Sequence, residues 1–180
     1  SCVLSTYSSS VINLSNHLTT SLGITAQYFT LNKNWTVEPR AALKWTFNPK
    51  HALALAYGLH SRRERLDYYF VEQEVNGKTE SNRYLNFSKA HHFGLTYDWN
   101  INSYMHLKVE PYYQYLFRIP VEENSSFSII NHQSFYLERI LKNRGSGVNY
   151  GIDITLEQYM KNGFYYMITA SLFKSRYKAG

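Results

Sequence analysis

The sequence has little that could hold a small protein together through disulfides or long apolar helices. It contains a single cysteine, Cys2, among 180 residues, so no disulfide can form within the chain. No apolar run approaches the roughly 20 residues that a membrane-spanning helix requires. Charged residues are only 18% and apolar residues 44%, which is too apolar for a disordered tail. These features exclude a disulfide-dependent scaffold, a helical membrane protein and an unfolded segment.

Aromatic residues are abundant instead. They make up 17% of the chain, with 17 Tyr and 10 Phe. Aromatic and β-branched side chains suit the pleated surface of a sheet. The composition therefore predicts an all-β fold.

The positive charge is spread along the chain rather than gathered in one patch. The formal net charge is +6, but the densest basic cluster, Arg62 to Arg65, is interrupted by Glu64. A nucleic-acid-binding protein concentrates its Lys and Arg residues on one face or along one helix. We expect no nucleic-acid partner.

Apolar and polar residues alternate over most of the chain. The clearest segment, residues 35–47, places only apolar side chains on one face and Glu38, Arg40 and Lys44 on the other. The same pattern predicts about eight strands, most of them unusually long. Their predicted ranges are 3–14, 18–28, 35–47, 52–59, 86–99, 105–118, 148–156 and 164–172. The predicted arrangement of these strands is an antiparallel meander.

The predicted connections alternate between tight turns and longer loops. The tight turns fall at 15–16, 48–50, 100–102 and 161–163, and the other connections at 32–34, 62–83 and 120–147. Long antiparallel strands with short turns on one rim and long loops on the other are typical of outer-membrane barrels. The segment at 145–147, Gly-Ser-Gly, is interpreted as a flexible loop that enters a strand.

Alternation alone does not decide which face is buried. In a soluble lipocalin-like barrel the apolar face would point inward, and in a membrane barrel it would point to lipid. Trp35, Trp45, Trp99 and Phe117 fall towards strand ends on the apolar face. Aromatic girdles lie at those positions in membrane barrels, which favours the membrane orientation.

Four residues do not fit a regular lipid-facing strand. Pro39 and Pro111 fall in the middle of strands and remove a ladder hydrogen bond, so each is expected at a bulge. Lys89 and Lys174 lie on the apolar face, where a charge is costly at the bilayer midplane but not at an interface. These two lysines are expected near a rim.

Several runs, taken in order, resemble the C-terminal half of TonB-dependent receptors of Bacteroidota. The resemblance covers nearly the whole chain. The runs lie at 37–40 (VEPR), 57–61 (YGLHS), 89–93 (KAHHF), 112–114 (YYQ), 119–122 with 125–128 (IPVE, SSFS), 147–157 (GVNYGIDITLE) and 171–178 (SLFKSRYK).

The resemblance implies a transmembrane barrel of about twenty-two strands that holds a plug domain and imports a ligand with energy relayed by TonB. Residues 1–180 would then be a fragment of that single barrel domain, about eight strands without the plug. The implied partners are outer-membrane lipid, the plug domain of the same parent chain, TonB through an N-terminal part, and a surface lipoprotein. The implied location is the outer membrane of a Gram-negative bacterium.

Two other interpretations remain open. A complete eight-stranded barrel of the small OmpA type, with a structural or adhesive role, needs no more than 180 residues. A soluble β-sheet binding protein would use the same alternation with its faces reversed.

No residue pattern indicates catalysis, a metal or a cofactor. His91 and His92 are adjacent in a strand and point to opposite faces, so they cannot share an ion. Ligand contacts are expected in the two long loops, because loops carry function on a rigid scaffold. The candidates are Tyr68, Tyr69, Phe70, Phe127, Phe135 and Tyr136.

Overall fold

A computed structural model describes residues 1–75, 77–122 and 139–178, and most of them belong to β-strands. In chain order the strands are β1 (Val3–Ser15), β2 (Leu18–Phe29), β3 (Asn34–Asn48), β4 (His51–Arg62), β5 (Glu72–Val75), β6 (Lys78–Ser81), β7 (Ser88–Asn100), β8 (Met105–Val121), β9 (Lys142–Lys161) and β10 (Phe164–Lys178). Two short 3-10 helices, Leu66–Phe70 and Asn82–Tyr84, flank the β5–β6 hairpin. The predicted all-β fold is confirmed.

Within the described ranges, neither helix is long and apolar enough to cross a membrane.

Eight of the strands form one antiparallel sheet in the order β1-β2-β3-β4-β7-β8-β9-β10. Each long strand therefore pairs with the next long strand along the chain, and β5 pairs with β6 in a separate hairpin. All eight predicted strands are present. The four tight turns lie at one end of the sheet and the longer connections at the other, which we call the short-turn end and the loop end.

The register aligns the apolar sides of neighbouring strands into one continuous surface. Leu43 pairs with Leu55 and Leu55 with Leu95. The alternate residues give a second, polar surface, on which Lys44 pairs with Ala54 and Ala54 with Thr96. We call the apolar surface the outward face and the other surface the polar face. A shift of one residue in any strand would exchange them, so the alternation fixes the register.

Neither mid-strand proline lies at a bulge, contrary to the expectation from the sequence. Pro39 pairs with Ile24 of β2 in unbroken register, and the ladder between β3 and β4 ends beside it, at Arg40. Pro111 pairs with Ile152 of β9, while the ladder to β7 is interrupted beside it and resumes in the same register. The missing N–H groups are accommodated by gaps in one ladder, so no extra residue is needed.

The expected flexible loop at 145–147 is instead part of β9, which begins at Lys142. Gly145 pairs with Ile119 of β8 next to a bulge, where Arg118 adopts a positive φ of 56°. A methyl group on Gly145 would lie 2.5 Å from Val121 Cγ1, so glycine is required for the close approach of β8 and β9. The run was misinterpreted because glycine serves strand contacts as well as loops.

Buried apolar side chains gather at the loop end rather than along the strands. The cluster that we call the loop core contains Phe29, Tyr68, Tyr69, Leu85, Phe87 and Leu141. Val3 and Leu31 pack against it. The connection between β4 and β7 is therefore a folded cap on one end of the sheet.

Candidate functional site

The polar face carries every carboxylate of the eight long strands, all of which lie in the described part of the chain. These residues are Glu38, Asp98, Glu110, Asp153 and Glu157. Several have basic side chains as partners on the same face: Lys108 Nζ lies 2.7 Å from Glu110 Oε1, and His106 Nε2 lies 3.0 Å from Asp98 Oδ1. Alternation and pairing together give a hydrophilic wall.

A groove of about 490 Å³ crosses this surface from β1 to β8. Its polar lining includes Arg40, His60, His92, Tyr112 and Gln114. The two histidine rings meet edge to face with centroids 4.6 Å apart. Volumes of this size suit small-molecule ligands, and these side chains offer both hydrogen-bond donors and acceptors.

Two glycines leave room for side chains that lie across the polar face. A methyl group on Gly58 would lie 2.8 Å from His60 Nε2, and one on Gly151 would lie 2.9 Å from the Tyr112 hydroxyl. The side chains of His60 and Tyr112 thus lie across glycine positions instead of standing clear of the sheet. Glycine here sets the shape of the polar surface.

Glu38 closes the gap in the sheet beside Pro39. Its side chain is buried, at 2% exposure for the residue, and Oε1 accepts hydrogen bonds from Gln27 Nε2 at 2.8 Å and from the Ser61 backbone N–H at 3.2 Å. The Ser61 hydroxyl donates to the same oxygen. Arg40 Nη2 lies 3.3 Å from Oε2. A buried carboxylate is tolerated because each oxygen has partners.

Aromatic rings occupy both ends of the outward face. Near the short turns, the His51 ring stacks on Phe47, Tyr97 and Trp99 with centroids 5.7 to 5.9 Å apart. Its Nδ1 lies 2.8 Å from the Tyr97 hydroxyl. These rings lie where the sequence placed one of its two aromatic girdles.

The second girdle lies towards the loop end. The His91 ring stacks on Phe117 with centroids 5.0 Å apart and on Tyr57 at 6.0 Å. Phe93 continues the row, 5.0 Å from Tyr57. Leu43, Leu55 and other aliphatic residues fill the band between the two girdles. The outward face thus has the aromatic, aliphatic and aromatic layers of a surface that spans an apolar slab.

His91 and His92 point to opposite faces, as predicted. His91 stacks on outward-facing rings, and His92 meets His60 on the polar face. The described residues contain no group of three or more His, Cys, Asp or Glu side chains that could hold a metal ion.

The loop core is built around Tyr69, which is 1% exposed. Its ring packs edge to face on Phe29 with centroids 5.1 Å apart, and its hydroxyl accepts a hydrogen bond from the Glu64 backbone N–H at 3.3 Å. Burial raises the pKa of the Tyr69 phenol above its usual value. The Glu64 carboxylate is itself buried and accepts a hydrogen bond from the Ser88 hydroxyl at 2.6 Å.

Asparagine side chains tie three separate connections to this core. Asn82, 1% exposed, donates from Nδ2 to the Arg139 carbonyl at 2.8 Å and accepts from the Leu141 N–H at 2.7 Å. Asn32 Nδ2 donates to the Leu85 carbonyl at 2.8 Å. Because these bonds join residues more than fifty positions apart, the loop end is one cross-linked unit.

The predicted ligand contacts separate into three groups. Tyr68 and Tyr69 are buried at 5% and 1% exposure and form part of the loop core, whereas Phe70 is 60% exposed at the surface of the cap. Phe127, Phe135 and Tyr136 lie outside the described residues. A role in ligand binding stays a prediction for all six.

Sequence reasoning missed the exposed aromatic residue of the second 3-10 helix and the buried asparagine beside it. Tyr84 is 75% exposed on the same cap as Phe70. Asn82 is completely enclosed, yet its side chain looks like that of any loop asparagine in the sequence. Only contacts with distant residues 139 and 141 distinguish it, and no local pattern encodes them.

The fold is similar to those of two solved proteins, a ferric-catecholate import receptor and an iron transporter. The ferric-catecholate import receptor Fiu of Escherichia coli K12 superposes with a TM-score of 0.73 and 9% sequence identity, covering 99% of this chain and 28% of that one. The FrpB iron transporter of Neisseria meningitidis superposes with a TM-score of 0.65 and 12% sequence identity. The match covers 97% of this chain and 26% of the transporter. The chain therefore spans about a quarter of the length of these two proteins.

No protein-family model and no curated protein matches the sequence. At these identities the solved structures define the fold alone: the eight-stranded antiparallel sheet is shared with about a quarter of each of those two chains.

Proposed function

We propose that this chain forms part of the barrel wall of a TonB-dependent outer-membrane receptor that imports a ligand. The observation that carries the proposal is the sorting of charge between the faces of a sheet with this fold. All five strand carboxylates lie on the polar face, and the outward face is layered as a bilayer requires. A soluble barrel of the same sequence would have to enclose the outward face instead.

In this proposal the polar face lines the lumen, where it contacts a plug domain contributed by the same parent chain. The groove lined by Arg40, His60 and Gln114 is part of that surface. The cross-linked loop end faces the cell exterior, since outer-membrane barrels carry their longer loops there. Phe70 and Tyr84 are then the described aromatic side chains best placed to meet a ligand first.

The transported ligand is proposed as an iron complex. This rests on the two solved neighbours, whose names describe a ferric-catecholate import receptor and an iron transporter. Cationic and aromatic side chains at the loop end suit a chelate with aromatic groups and negative charge. Energy would come from TonB acting on the parent protein.

The orientation of the two faces is tested by cysteine labelling in a bilayer. Single cysteines replace Leu43 on the outward face or Ala42 on the polar face, in a Cys2→Ser background of the full-length protein. We expect a membrane-impermeant maleimide to modify Ala42→Cys faster than Leu43→Cys, because lipid would cover position 43. The reverse pattern, with protein in the soluble fraction, would show that the membrane proposal is wrong.

Uptake is tested separately in cells that lack the gene for the full-length protein. We expect a loss of TonB-dependent uptake of radioactive iron supplied as a catecholate complex, restored by the gene on a plasmid. Retained uptake with correct outer-membrane location would remove the iron complex from the proposal while leaving the barrel in place.

A further inference from the structure

We propose that the sheet contains a side opening between β3 and β4 at the loop end, and that the Glu38 side chain is the latch that holds it closed. When the latch is released, the opening leads from the flank of the sheet into the groove on the polar face without passing over the cap. This inference goes beyond the proposed function, which requires only a continuous sheet between the two faces.

The two strands part before either of them ends. The ladder between β3 and β4 ends with the pair Arg40 and Gly58. From this pair towards the loop end, β3 pairs with β2 alone and β4 pairs with β7 alone. We call residues 34–39 of β3 and 59–62 of β4 the seam. The seam lacks the backbone ladder that joins neighbouring strands elsewhere in the sheet.

Side chains bridge the seam in place of a ladder. Glu38 Oε1 accepts hydrogen bonds from the backbone N–H of Ser61, at 3.2 Å, and from the Ser61 hydroxyl. The same hydroxyl lies 3.1 Å from Thr36 Oγ1. Glu38 and Thr36 are each 2% exposed, so these side chains fill the space between the two strands. The closed seam therefore depends on the contact between Glu38 and Ser61.

Positive charge on both sides keeps the Glu38 carboxylate in the seam. Its Oε2 lies 3.3 Å from Arg40 Nη2 on β3. On the other side Lys89, which pairs with Ser61 across β4 and β7, attracts the carboxylate. A buried carboxylate is stable only while such partners replace its water. Loss of its charge should therefore weaken the closed state of the seam.

The position of the seam determines what the opening reaches. Arg40 and Gly58, the last paired residues of the two strands, both line the groove on the polar face. Beyond the latch, Asn34 Nδ2 donates a hydrogen bond to the Leu85 carbonyl of the cap at 3.2 Å. The cap thus stays joined to β3 at the end of the seam. Release of Glu38 opens a window below the cap and not a split through the end of the sheet.

The test measures how often position 36 becomes accessible. The full-length protein carries Thr36→Cys in a Cys2→Ser background and is treated in detergent with a water-soluble maleimide. A buried thiol reacts from the open form, so the rate of modification reports the population of that form. Glu38→Gln keeps the size of the latch but replaces charge-assisted hydrogen bonds with neutral ones. We expect it to raise the rate of modification about tenfold.

The matched control is Glu110→Gln in the same background. It removes the charge of a polar-face carboxylate that pairs with Lys108, away from the seam. It should leave the rate of modification at position 36 unchanged. Equal rates with and without Glu38→Gln, or an equal rise in Glu110→Gln, overturn the inference.

Hydrogen exchange distinguishes opening of the seam from opening of the cap. In Glu38→Gln the Ser61 amide, whose acceptor is the latch, should exchange faster than in the parent protein. The Asn82 and Leu141 amides, which are hydrogen-bonded within the cap, should keep their protection. If all three lose protection together, the maleimide reaches position 36 through an unfolded cap and the inference fails.

These measurements need neither lipid nor the imported ligand. They therefore fail or succeed independently of the proposed function, which is tested by labelling at positions 42 and 43 in a bilayer. A latch effect without protection of position 43 by lipid would support the side opening alone, and the reverse result would support the proposed function alone.

Discussion

In the loop core Tyr69 is 1% exposed and Phe29 is 2% exposed. On the eight-stranded sheet, which we call the wall, Leu55 is 57% exposed and Leu172 is 72% exposed. Both regions are rich in apolar side chains. The loop core buries them against one another, and the wall presents them outward. The loop end therefore carries its own apolar packing, while the wall depends on its surroundings to remove apolar surface from water.

The difference separates two sources of stability in one chain. Strand pairing satisfies the backbone of the wall, but exposed apolar sheet surface gains little from the hydrophobic effect until an apolar environment covers it. The loop core gains from packing and from hydrogen bonds of buried polar groups such as Asn82 and Glu64. Under the proposed function, a substitution should thus act locally in the loop core and through contact with lipid on the eight-stranded sheet.

The largest effect is expected from Tyr69→Ala in the loop core. Removing a buried aromatic ring costs about 3 to 5 kcal/mol, because the lost packing leaves a cavity. Hydrogen exchange of the full-length protein should show loss of protection at the Asn82, Leu85 and Leu141 amides, which are hydrogen-bonded within the cap. Strand amides of β7 and β8 should keep their protection.

The control for that experiment is Tyr84→Ala, which removes an aromatic ring of the same cap that is 75% exposed. It should leave the exchange of all three amides unchanged. If both variants lose protection equally, or if the strands open together with the cap, the loop end is not a separately stabilised region.

A smaller effect is expected from Leu55→Arg in the middle of the outward face. A cation at the midplane of a bilayer costs about 2 to 4 kcal/mol. Urea titration of the protein folded into lipid vesicles should report a lower free energy of unfolding by that amount. The matched substitution Ala56→Arg places the same side chain on the polar face beside the small residues Ala42 and Gly94.

Ala56→Arg should change the free energy of unfolding by much less than Leu55→Arg, since the cation would lie in a hydrated surface. Equal losses would mean that the outward face does not meet lipid. The apolar surface of the wall would then not depend on lipid for its stability, and the proposed function would be weakened.

The sequence predicted the wall far better than the cap. Strands such as residues 35–47 and 105–118 were recognisable because a period of two follows directly from the pleat, and the long elements needed only local information. The tight turns followed from short polar runs. Two predictions about the wall were wrong, because glycine and proline each occur in more than one kind of local structure. Glycines 145 and 147 lie inside β9 and not in a flexible loop, and both mid-strand prolines fit without bulges.

The cap was not predictable in the same way. Residues 63–87, between β4 and β7, contain two 3-10 helices and a hairpin too short to give a periodic pattern. Tyr68, Tyr69 and Phe70 are consecutive aromatics, and only the fold determines that two are buried and one is exposed. Contacts between residues 29, 69 and 141 join distant parts of the chain, so no local reading could place them.

The smallest effect is a pH dependence of the loop core that Tyr69 should impose. Burial raises the pKa of its phenol, so the folded cap holds this proton more tightly than the open cap does. The contribution is fully present below the ordinary tyrosine pKa, about 10, and is lost as the pH rises through the raised value of the folded state. Above pH ~10 the cap should therefore open more readily.

Limited proteolysis within residues 63–87 of the full-length protein, from pH 8 to 11, measures this opening. Tyr69→Phe removes the titrating group and also the hydrogen bond from the Glu64 N–H. We expect Tyr69→Phe to be cleaved slightly faster than wild type at pH 8, since one hydrogen bond is lost, and to show a weaker rise in cleavage between pH 10 and 11. Tyr84→Phe, altered at an exposed ring, should follow the wild-type pH dependence throughout. The same steep rise in Tyr69→Phe would show that another group governs alkaline opening, and that burial of the Tyr69 phenol does not limit the stability of the cap.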